Sequence, residues 1–309
     1  MKVAVLSGGV GGGRFVRGLV DVADPSDVTV VGNVGDDVEV LGLHVSPDLD
    51  SILYALTGLG DEERGWGRAD ETWNALESVA ALGGEDWFRL GDRDLGLHLV
   101  RTAALRAGEP LSSITARVAE RLGLAVRLRP ATDDRLRTWI DTDAGTFPFQ
   151  DWFVRRGQRE DALGVRYVGA EAAAPAPGVV DALGDADLVL LAPSNPYVSI
   201  GPILAVAAIR DALASRRIPA IAISPLIGGR AVKGPADRML ARLAGGTDPV
   251  HVASCYDGLV DALVIDESDA DGASALAASG VRPVVARTLM ADTGARRRLA
   301  EIVLGAVPA

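Results

Sequence analysis

Residues 2–20 read KVAVLSGGVGGGRFVRGLV, and this stretch decides the fold. Residues 2–7 are apolar, contain β-branched side chains and end at glycines, which is typical of a strand buried on both faces. After the glycines, Phe15, Val16 and Leu19 follow helical spacing. The stretch therefore predicts a strand, a Gly-rich turn and a helix.

Further apolar runs predict the rest of a sheet. Residues 27–34, DVTVVGNV, predict a second buried strand, so that two strands and the helix between them form a βαβ unit with parallel strands. Later strands are predicted at residues 187–192, 220–224 and 262–266, which read DLVLLA, AIAIS and ALVID. We predict an α/β fold, a Rossmann-like doubly wound and mainly parallel sheet.

A helical insertion after the second strand interrupts this pattern. Helical periodicity replaces the strand pattern in residues 47–124, whereas residues 1–46 and 125–309 form the predicted Rossmann-like, nucleotide-binding domain. In that domain, residues 147–153 predict the return strand of a hairpin, and residues 203–215 predict one helix.

Composition and charge exclude several classes of protein. Of the 309 residues, 48% are hydrophobic and 24% charged, which excludes wholesale disorder. The net charge of −11 argues against nucleic acid or an anionic membrane as partner. Cys255 is the only cysteine, so neither an intrachain disulfide nor a Cys-based metal site is expected. The sequence has no apolar run of transmembrane length and no signal-peptide pattern, so we expect a cytoplasmic protein.

The glycine-rich segment is the first candidate site. It precedes a helix, where free N–H groups and the helix dipole favour phosphate. It matches neither standard fingerprint, because Arg14 and Phe15 replace the Lys and Ser/Thr of a P-loop, and no register fits the dinucleotide motif. The alternative is a turn that only permits close packing of the helix on the sheet. The predicted nucleotide-binding residues here are Gly8, Gly9, Gly11, Gly12, Gly13 and Arg14.

Four carboxylates form the second candidate site, Asp36, Asp37, Asp48 and Asp50. The first two follow the second strand, at the edge where ligands bind in such sheets. The other two lie in SPDLD, at a predicted helix start. Mg²⁺ takes one or two carboxylates together with phosphate oxygens, so we predict that this set holds Mg²⁺. The alternative is that these residues are helix caps and solvated charges.

Two further polar segments lie beside predicted elements. Residues 192–202, APSNPYVSIGP, follow a strand and point into the expected crevice, so Ser194 and Asn195 are predicted to bind nucleotide. An ordinary turn with a capping Ser is the alternative. Residues 89–94, RLGDRD, taken alone, favour a capped helix start with surface ion pairs.

In this order, these motifs resemble one family over nearly the whole chain, the 2-phospho-L-lactate transferase (phosphoenolpyruvate transferase) family of coenzyme F-420 biosynthesis. The matching stretches are LSGGVGGGRF, VVGNVGDD, HVSPDLDSILYALTG, RGWG and ETWNA, WFRLGDRDLGLHLVR, RLRPATDD, FQDWFV, LLAPSNPYVSIGPIL, ISPLIGG and TLMAD.

The resemblance implies a transferase that moves a phospho-enolpyruvyl or 2-phospho-L-lactyl group from a guanosine-diphosphate-linked donor to the ribityl hydroxyl of the deazaflavin Fo, releasing GMP. It also implies Mg²⁺ as cofactor and a homodimer. By match within its motifs, the deazaflavin-binding positions fall on Asp50 and Arg89, which makes residues 47–124 the acceptor-binding part. Asp50 is also the candidate catalytic residue, either orienting the hydroxyl or accepting its proton. Which three-carbon acid is carried stays open.

Two other functions compete with this one. A related family of nucleotide-sugar-binding regulatory proteins shares the Gly-rich first loop and would be non-catalytic, but SPDLD, RGWG and LGDRD belong to the transferase. A nicotinamide dehydrogenase is disfavoured because the second strand ends in Gly32 and Asn33, without the acid that holds an NAD ribose.

Overall fold

The opening stretch forms a strand and a helix in direct succession. In a computed structural model, which describes residues 1–307, strand β1 (Val3–Ser7) leads into helix α1 (Gly9–Val20). Strand β2 (Val28–Gly32) lies parallel to β1, with Val3 opposite Val28. The predicted βαβ unit is confirmed.

The other elements follow in chain order within the described residues. Up to residue 130 they are β3 (Val38–Val40), β4 (Leu43–Val45), α2 (Pro47–Thr57), α3 (Asn74–Ala81), α4 (Asp92–Arg106), α5 (Leu111–Arg121) and β5 (Arg127–Pro130). Up to residue 214 they are β6 (Arg137–Thr142), β7 (Gly145–Pro148), β8 (Gly164–Val168), α6 (Val179–Gly184), β9 (Leu188–Leu191), α7 (Gly201–Ala205) and α8 (Ala207–Ala214). The last are β10 (Ala220–Ile223), β11 (Leu226–Ile227), β12 (Arg230–Ala231), α9 (Ala236–Leu243), α10 (Pro249–Ser254), β13 (Ala262–Asp266), α11 (Ala273–Ala278), β14 (Arg282–Ala286) and α12 (Thr293–Gly305).

The central sheet has seven strands in the order β14-β13-β10-β9-β1-β2-β5, and all neighbouring strands are parallel. The order reverses between β1 and β9, because the chain first builds outward through β2 and β5 and then returns to the other side. In such sheets ligands bind beyond the carboxyl ends of the strands at this reversal. The predicted fold class is confirmed.

The core lies on both faces of this sheet because its strands are apolar throughout. Every residue of β1, β2 and β9 is buried. Helix α1 adds Phe15, Val16 and Leu19 to the same core. Burial of a large apolar side chain stabilises the fold by roughly 1.5–3 kcal/mol.

Parts of the predicted insertion, residues 47–124, share this core. Helix α2 packs along α1 and buries Leu49, Ile52 and Leu53 against the sheet. Helix α5 packs beside β5. The acceptor-binding role and the domain boundaries of this segment stay predictions.

Carboxylates join the starts of α3 and α4. The side chain of Glu71 accepts two backbone N–H groups from the first turn of α4, both at 2.8 Å. In return, Asp92 accepts the N–H groups of Asn74 and Ala75 at 3.1 and 3.0 Å. Hydrogen bonds from Thr72, Ala75 and Asn74 lower the pKa of Asp92 to about 2. The residues 89–94 therefore include a capped helix start, as their pattern indicated.

Two predictions about local structure are wrong. Residues 203–215 do not form one helix, because Val206 is extended (φ −73°, ψ 104°) and the helical stretches on either side of it meet at 92°. The predicted return strand at 147–153 ends at Pro148, and residues 151–155 are helical instead. Strand β7 belongs to a three-stranded antiparallel sheet, β7-β6-β8, of which β8 was not predicted.

Within residues 1–307, no single helix has the length and apolar character needed to cross a membrane. One bent pair, Pro196–Ala205 and Ala207–Ala214, meets those two criteria only when its helices are taken together.

Candidate functional site

A cavity of about 670 Å³ lies at the carboxyl ends of the parallel strands. Its sheet side is formed by residues 8–11 and 14 and by the loops that follow β9, β10 and β14. Its insertion side is formed by α2, the start of α4, and loop residues 65–67 and 87–89, with residues 149–154 nearby. The volume is typical of a small-molecule site, and the position is the one expected for a doubly wound sheet.

The glycine-rich segment is helical rather than a loop, which corrects the predicted Gly-rich turn. Only Gly8 separates β1 from α1, and Gly9 begins the helix with φ of +68°. Of the predicted glycines, Gly8, Gly9 and Gly11 line the cavity. A Cβ at Gly12 would lie 2.6 Å from Oγ of Ser194, and one at Gly13 would lie 3.1 Å from the carbonyl of Ser51. Gly12 and Gly13 therefore allow close packing against the neighbouring segments and do not line the cavity, and their predicted role in nucleotide binding stays a prediction.

The predicted residues Ser194 and Asn195 border the cavity but already have partners in the protein. Oγ of Ser194 donates to the carbonyl of Gly8 at 2.7 Å and accepts the N–H of Gly8 at 3.2 Å. Oδ1 of Asn195 accepts the N–H of Tyr197 at 2.9 Å and caps the turn at residues 196–200. Ser194 thus ties the loop after β9 to the start of α1.

Two basic residues border this region of the cavity. Arg14, a predicted site residue, is half-buried on α1. Lys233, which sequence reasoning missed, is exposed in the loop after β12, and its Nζ lies 3.5 Å from the carbonyl of Arg64. A lysine in a loop carries no periodic signal, and only the folded chain brings it to the site.

Asp36 and Asp48 form a pair of buried acids on the cavity. Nδ2 of Asn33 lies 3.4 Å from Oδ1 of Asp36 and 2.9 Å from Oδ2 of Asp48. Burial raises the pKa of Asp36 well above its ordinary range, and the charges of Asp48 and Asp37 raise it further. Burial also raises the pKa of Asp48 to about 6, although hydrogen bonds from Asn33 and the Gly9 backbone oppose the increase.

The other two predicted carboxylates face different partners. Oδ2 of Asp37 lies 2.9 Å from Nε2 of His44, and Asp37 does not border the cavity. Asp50 borders the cavity, and both of its carboxylate oxygens accept from Arg101. The structure therefore brings Asp36 and Asp48 together on the cavity, whereas Asp37 pairs with His44 and Asp50 pairs with Arg101.

The Asp36–Asp48 pair fits a divalent cation. Asp36 and Asp48 are adjacent and buried, and the loss of hydration raises the pKa of each carboxyl. A bound cation would compensate that loss, and Mg²⁺ needs only one or two carboxylates when phosphate supplies other oxygens. In the described part of the chain no three His, Cys, Asp or Glu side chains are grouped as a metal site.

Arg89 lies at the cavity among aromatic rings. Its Cζ is 4.5 Å from the ring centroid of Trp73, a distance that gives a cation–π interaction. The rings that border the cavity are Tyr54, Trp66, Trp87, Phe88, Phe149 and Phe153. Phe149 and Phe153 are stacked at 5.2 Å. Sequence reasoning missed these two rings because it assigned them to a strand.

Facing side chains of α2 and α4 form a buried polar seam that sequence reasoning also missed. The α2–α4 seam consists of Asp50, Tyr54, Asp94, His98 and Arg101. All of these except Arg101 border the cavity. The signal was present, since residues 94, 98 and 101 recur at helical spacing and so lie on one face of α4.

Comparison with known proteins identifies relatives over nearly the whole chain. The model of the family described as 2-phospho-L-lactate transferase CofD matches residues 3–299. A phosphoenolpyruvate transferase of Streptomyces coelicolor is 45% identical over 98% of this chain and 97% of its own length. Another from Thermobifida fusca is 45% identical over 88% of each chain.

Solved structures confirm the fold alone. The crystal structure of a UPF0052 family protein from Bacillus halodurans matches 98% of both chains with a TM-score of 0.65, at 17% sequence identity.

Proposed function

The chain belongs to the 2-phospho-L-lactate transferase CofD family and is a transferase, and from that premise we propose that it moves a phosphorylated three-carbon acid from a guanosine-diphosphate-linked donor to the deazaflavin Fo. The ribityl hydroxyl oxygen forms the new bond to the phosphorus that carries the three-carbon acid. The bond from that phosphorus to the oxygen of GMP breaks, and the hydroxyl proton is released. GMP is the leaving group.

One observation supports this proposal above the others, which is that a single cavity has two chemically different sides. The sheet side offers backbone at a helix start, Arg14 and the acids Asp36 and Asp48. The insertion side offers aromatic rings, Asp50 and Arg89. A diphosphate suits the first side, and a flat ring with a hydroxylated chain suits the second. Group transfer requires that both reactants be held in one such space.

On the sheet side, we assign the donor's phosphates to the N-terminus of α1 around Gly8, Gly9 and Gly11, with Arg14 as a cation beside them. Asp36 and Asp48 would hold Mg²⁺, which, when bound, neutralises charge on the phosphates and on the departing GMP. Ser194 supports this geometry indirectly, because it holds the backbone of Gly8 through two hydrogen bonds.

On the insertion side, we assign the acceptor to Asp50 and Arg89. Both oxygens of Asp50 accept from Arg101, and each oxygen keeps a further lone pair. A hydroxyl of the acceptor would donate to Asp50, so we assign to this carboxylate the orientation of the hydroxyl. Arg89 would donate to a carbonyl or phosphate oxygen.

The names of the relatives favour the enolpyruvyl unit. Phosphoenolpyruvate transferases from several bacteria are 43–45% identical to the chain over most of its length. We therefore propose phospho-enolpyruvyl as the transferred group and 2-phospho-L-lactyl as the alternative. The proposal includes a homodimer, which light scattering of the purified protein tests.

The test is a reaction with defined components. The protein is incubated with Fo, Mg²⁺ and either the enolpyruvyl or the lactyl donor, and the product is identified by mass. The two products differ by two hydrogens, so each donor gives its own mass. Formation of GMP together with a mass increase of Fo supports the proposal. Hydrolysis of the donor with unchanged Fo contradicts it, and omission of each substrate in turn is the control.

A further inference from the structure

The α2–α4 seam is more polar than the packing of two helices requires. Asp50, His98 and Arg101 are buried, with 5%, 1% and 4% of their surfaces exposed. Replacing a buried ion pair by apolar side chains is often neutral or stabilising, so stability alone does not account for these residues. Since Asp50 borders the cavity, the seam is in direct contact with the candidate site.

Arg101 pairs with Asp50 through both of its terminal nitrogens. Its Nη1 donates to Oδ2 of Asp50 at 2.9 Å, and its Nη2 donates to Oδ1. A bidentate contact of this kind fixes the plane of the carboxylate as well as its position. Arg101 itself lies behind Asp50, outside the lining of the cavity.

The rest of the seam packs around this pair. Nδ1 of His98 lies 3.8 Å from Oδ2 of Asp50, and Nε2 lies 3.3 Å from Oδ1 of Asp94. The hydroxyl of Tyr54 donates to the same oxygen of Asp94. Burial raises the pKa of Tyr54, and the charges of Asp50 and Asp94 raise it further, so its hydroxyl stays a donor. Asp50 thus lies against His98, and the Tyr54–Asp94 hydrogen bond packs next to it.

We propose that Arg101 is a positioning residue for the transfer reaction, because it holds the Asp50 carboxylate in the orientation that receives the acceptor's hydroxyl. This inference rests on the proposed function, in which Asp50 contacts the acceptor. Arg101 contacts neither substrate and acts only through Asp50. A lysine at this position keeps the positive charge but cannot make the planar bidentate contact with the carboxylate.

Four variants test this role, namely R101K, R101M, D50N and the double variant D50N/R101M. We expect R101M to lower kcat by roughly ten- to a hundred-fold, since a misplaced reactive group costs about this much, and R101K to recover part of the loss. The KM for Fo should change less than kcat, and affinity for GDP should stay as in the wild type. In the D50N background, R101M should have little further effect, because the residue it acts through is already altered.

Thermal melts check whether each variant folds. Two of the variants avoid the burial of an unpaired charge, which could unfold the protein. R101K keeps the charge pair, and D50N/R101M buries no unpaired charge. The control is R106M on the same helix, because Arg106 is exposed and donates to the carbonyl of Gly42. The R106M variant should have the kcat of the wild type.

Two outcomes would contradict the role of Arg101 and leave the proposed function intact. The first is wild-type kcat in folded R101K and R101M. The second is a loss in D50N/R101M equal to the product of the two single losses, which would mean that Arg101 acts independently of Asp50. If the wild-type chain itself does not modify Fo, the proposed function fails, and the inference that rests on it fails as well.

Discussion

Oδ2 of Asp48 accepts a hydrogen bond of 2.9 Å from the side-chain amide of Asn33, and both residues are buried beyond the carboxyl end of β2. The same amide approaches Asp36 at 3.4 Å. One side chain thus lies between two acids from different segments, and the proposed Mg²⁺ site depends on this arrangement.

Replacing Asp48 by Asn is expected to raise the Mg²⁺ concentration needed for half-maximal transfer by roughly tenfold or more, because it removes a hard anionic ligand at nearly constant shape. Titration of activity with Mg²⁺ measures this. Asp37→Asn is the matched control, since Asp37 faces His44 and not the cavity. Full activity of the wild type in excess chelator, or equal shifts in the two variants, would contradict the assignment.

Replacing Arg89 by Ala is expected to weaken Fo binding or slow transfer by roughly ten- to a hundred-fold, the effect of losing a charge-assisted hydrogen bond. GDP affinity should change little, because the nucleotide is assigned to the other side of the cavity. Separate titrations with Fo and with GDP measure both. Arg93→Ala is the control, since Arg93 is exposed nearby and does not border the cavity. Loss of GDP binding with intact Fo binding would reverse the assignment of the two sides.

Two helical glycines are expected to respond oppositely to replacement by Ala. At Gly12 the new Cβ would lie 2.6 Å from Oγ of Ser194, so unfolding free energy should fall by about 1–3 kcal/mol. At Gly96, in α4, the Cβ would meet no atom within 4 Å, so helix propensity should add up to about 1 kcal/mol. Denaturant unfolding compares the two. If the Gly12→Ala variant is as stable as the Gly96→Ala variant, the close packing of α1 does not require a glycine at position 12.

Asp92→Ala is expected to destabilise the start of α3 in a pH-dependent way. Hydrogen bonds lower the pKa of Asp92 from 3.8 to about 2 in the folded chain, so the unfolded chain binds the proton more readily. The stabilisation is therefore complete above an ordinary carboxyl pKa and is lost as the pH falls through about 2. Hydrogen exchange at the amides of Asn74 and Ala75 should be faster in the variant near neutral pH. Equal exchange rates in the variant and the wild type near neutral pH would contradict the cap.

The sheet and the location of the site could be predicted because both follow from local pattern. The runs at residues 3–7 and 28–32 are apolar at every position or nearly so, which indicates strands covered on both faces. Parallel strands bring their carboxyl ends to one edge, so Gly8, Asp36 and Ser194 had to lie near one another. Polar residues that directly follow such strands are therefore predictable members of a site.

The partners of these residues could not be predicted in the same way. Asp50 and Arg101 are 51 residues apart, and their contact depends on how α2 packs against α4. Phe149 and Phe153 reach the cavity because the chain turns helical after β7, although aromatic residues at these positions favour a strand. The bend at Val206 likewise depends on surroundings that the periodicity of residues 203–215 does not record.

The paired caps of α3 and α4 have a thermodynamic consequence for ligand capture. Arg89 lies between these two helices, and each helix start is held by a carboxylate from beside the other, Glu71 and Asp92. We therefore expect both ends of the loop that carries Arg89 to be fixed when the protein folds, before a ligand arrives. Because a preorganised loop loses little conformational entropy on association, most of the free energy of the proposed contact between Arg89 and the acceptor should appear as affinity.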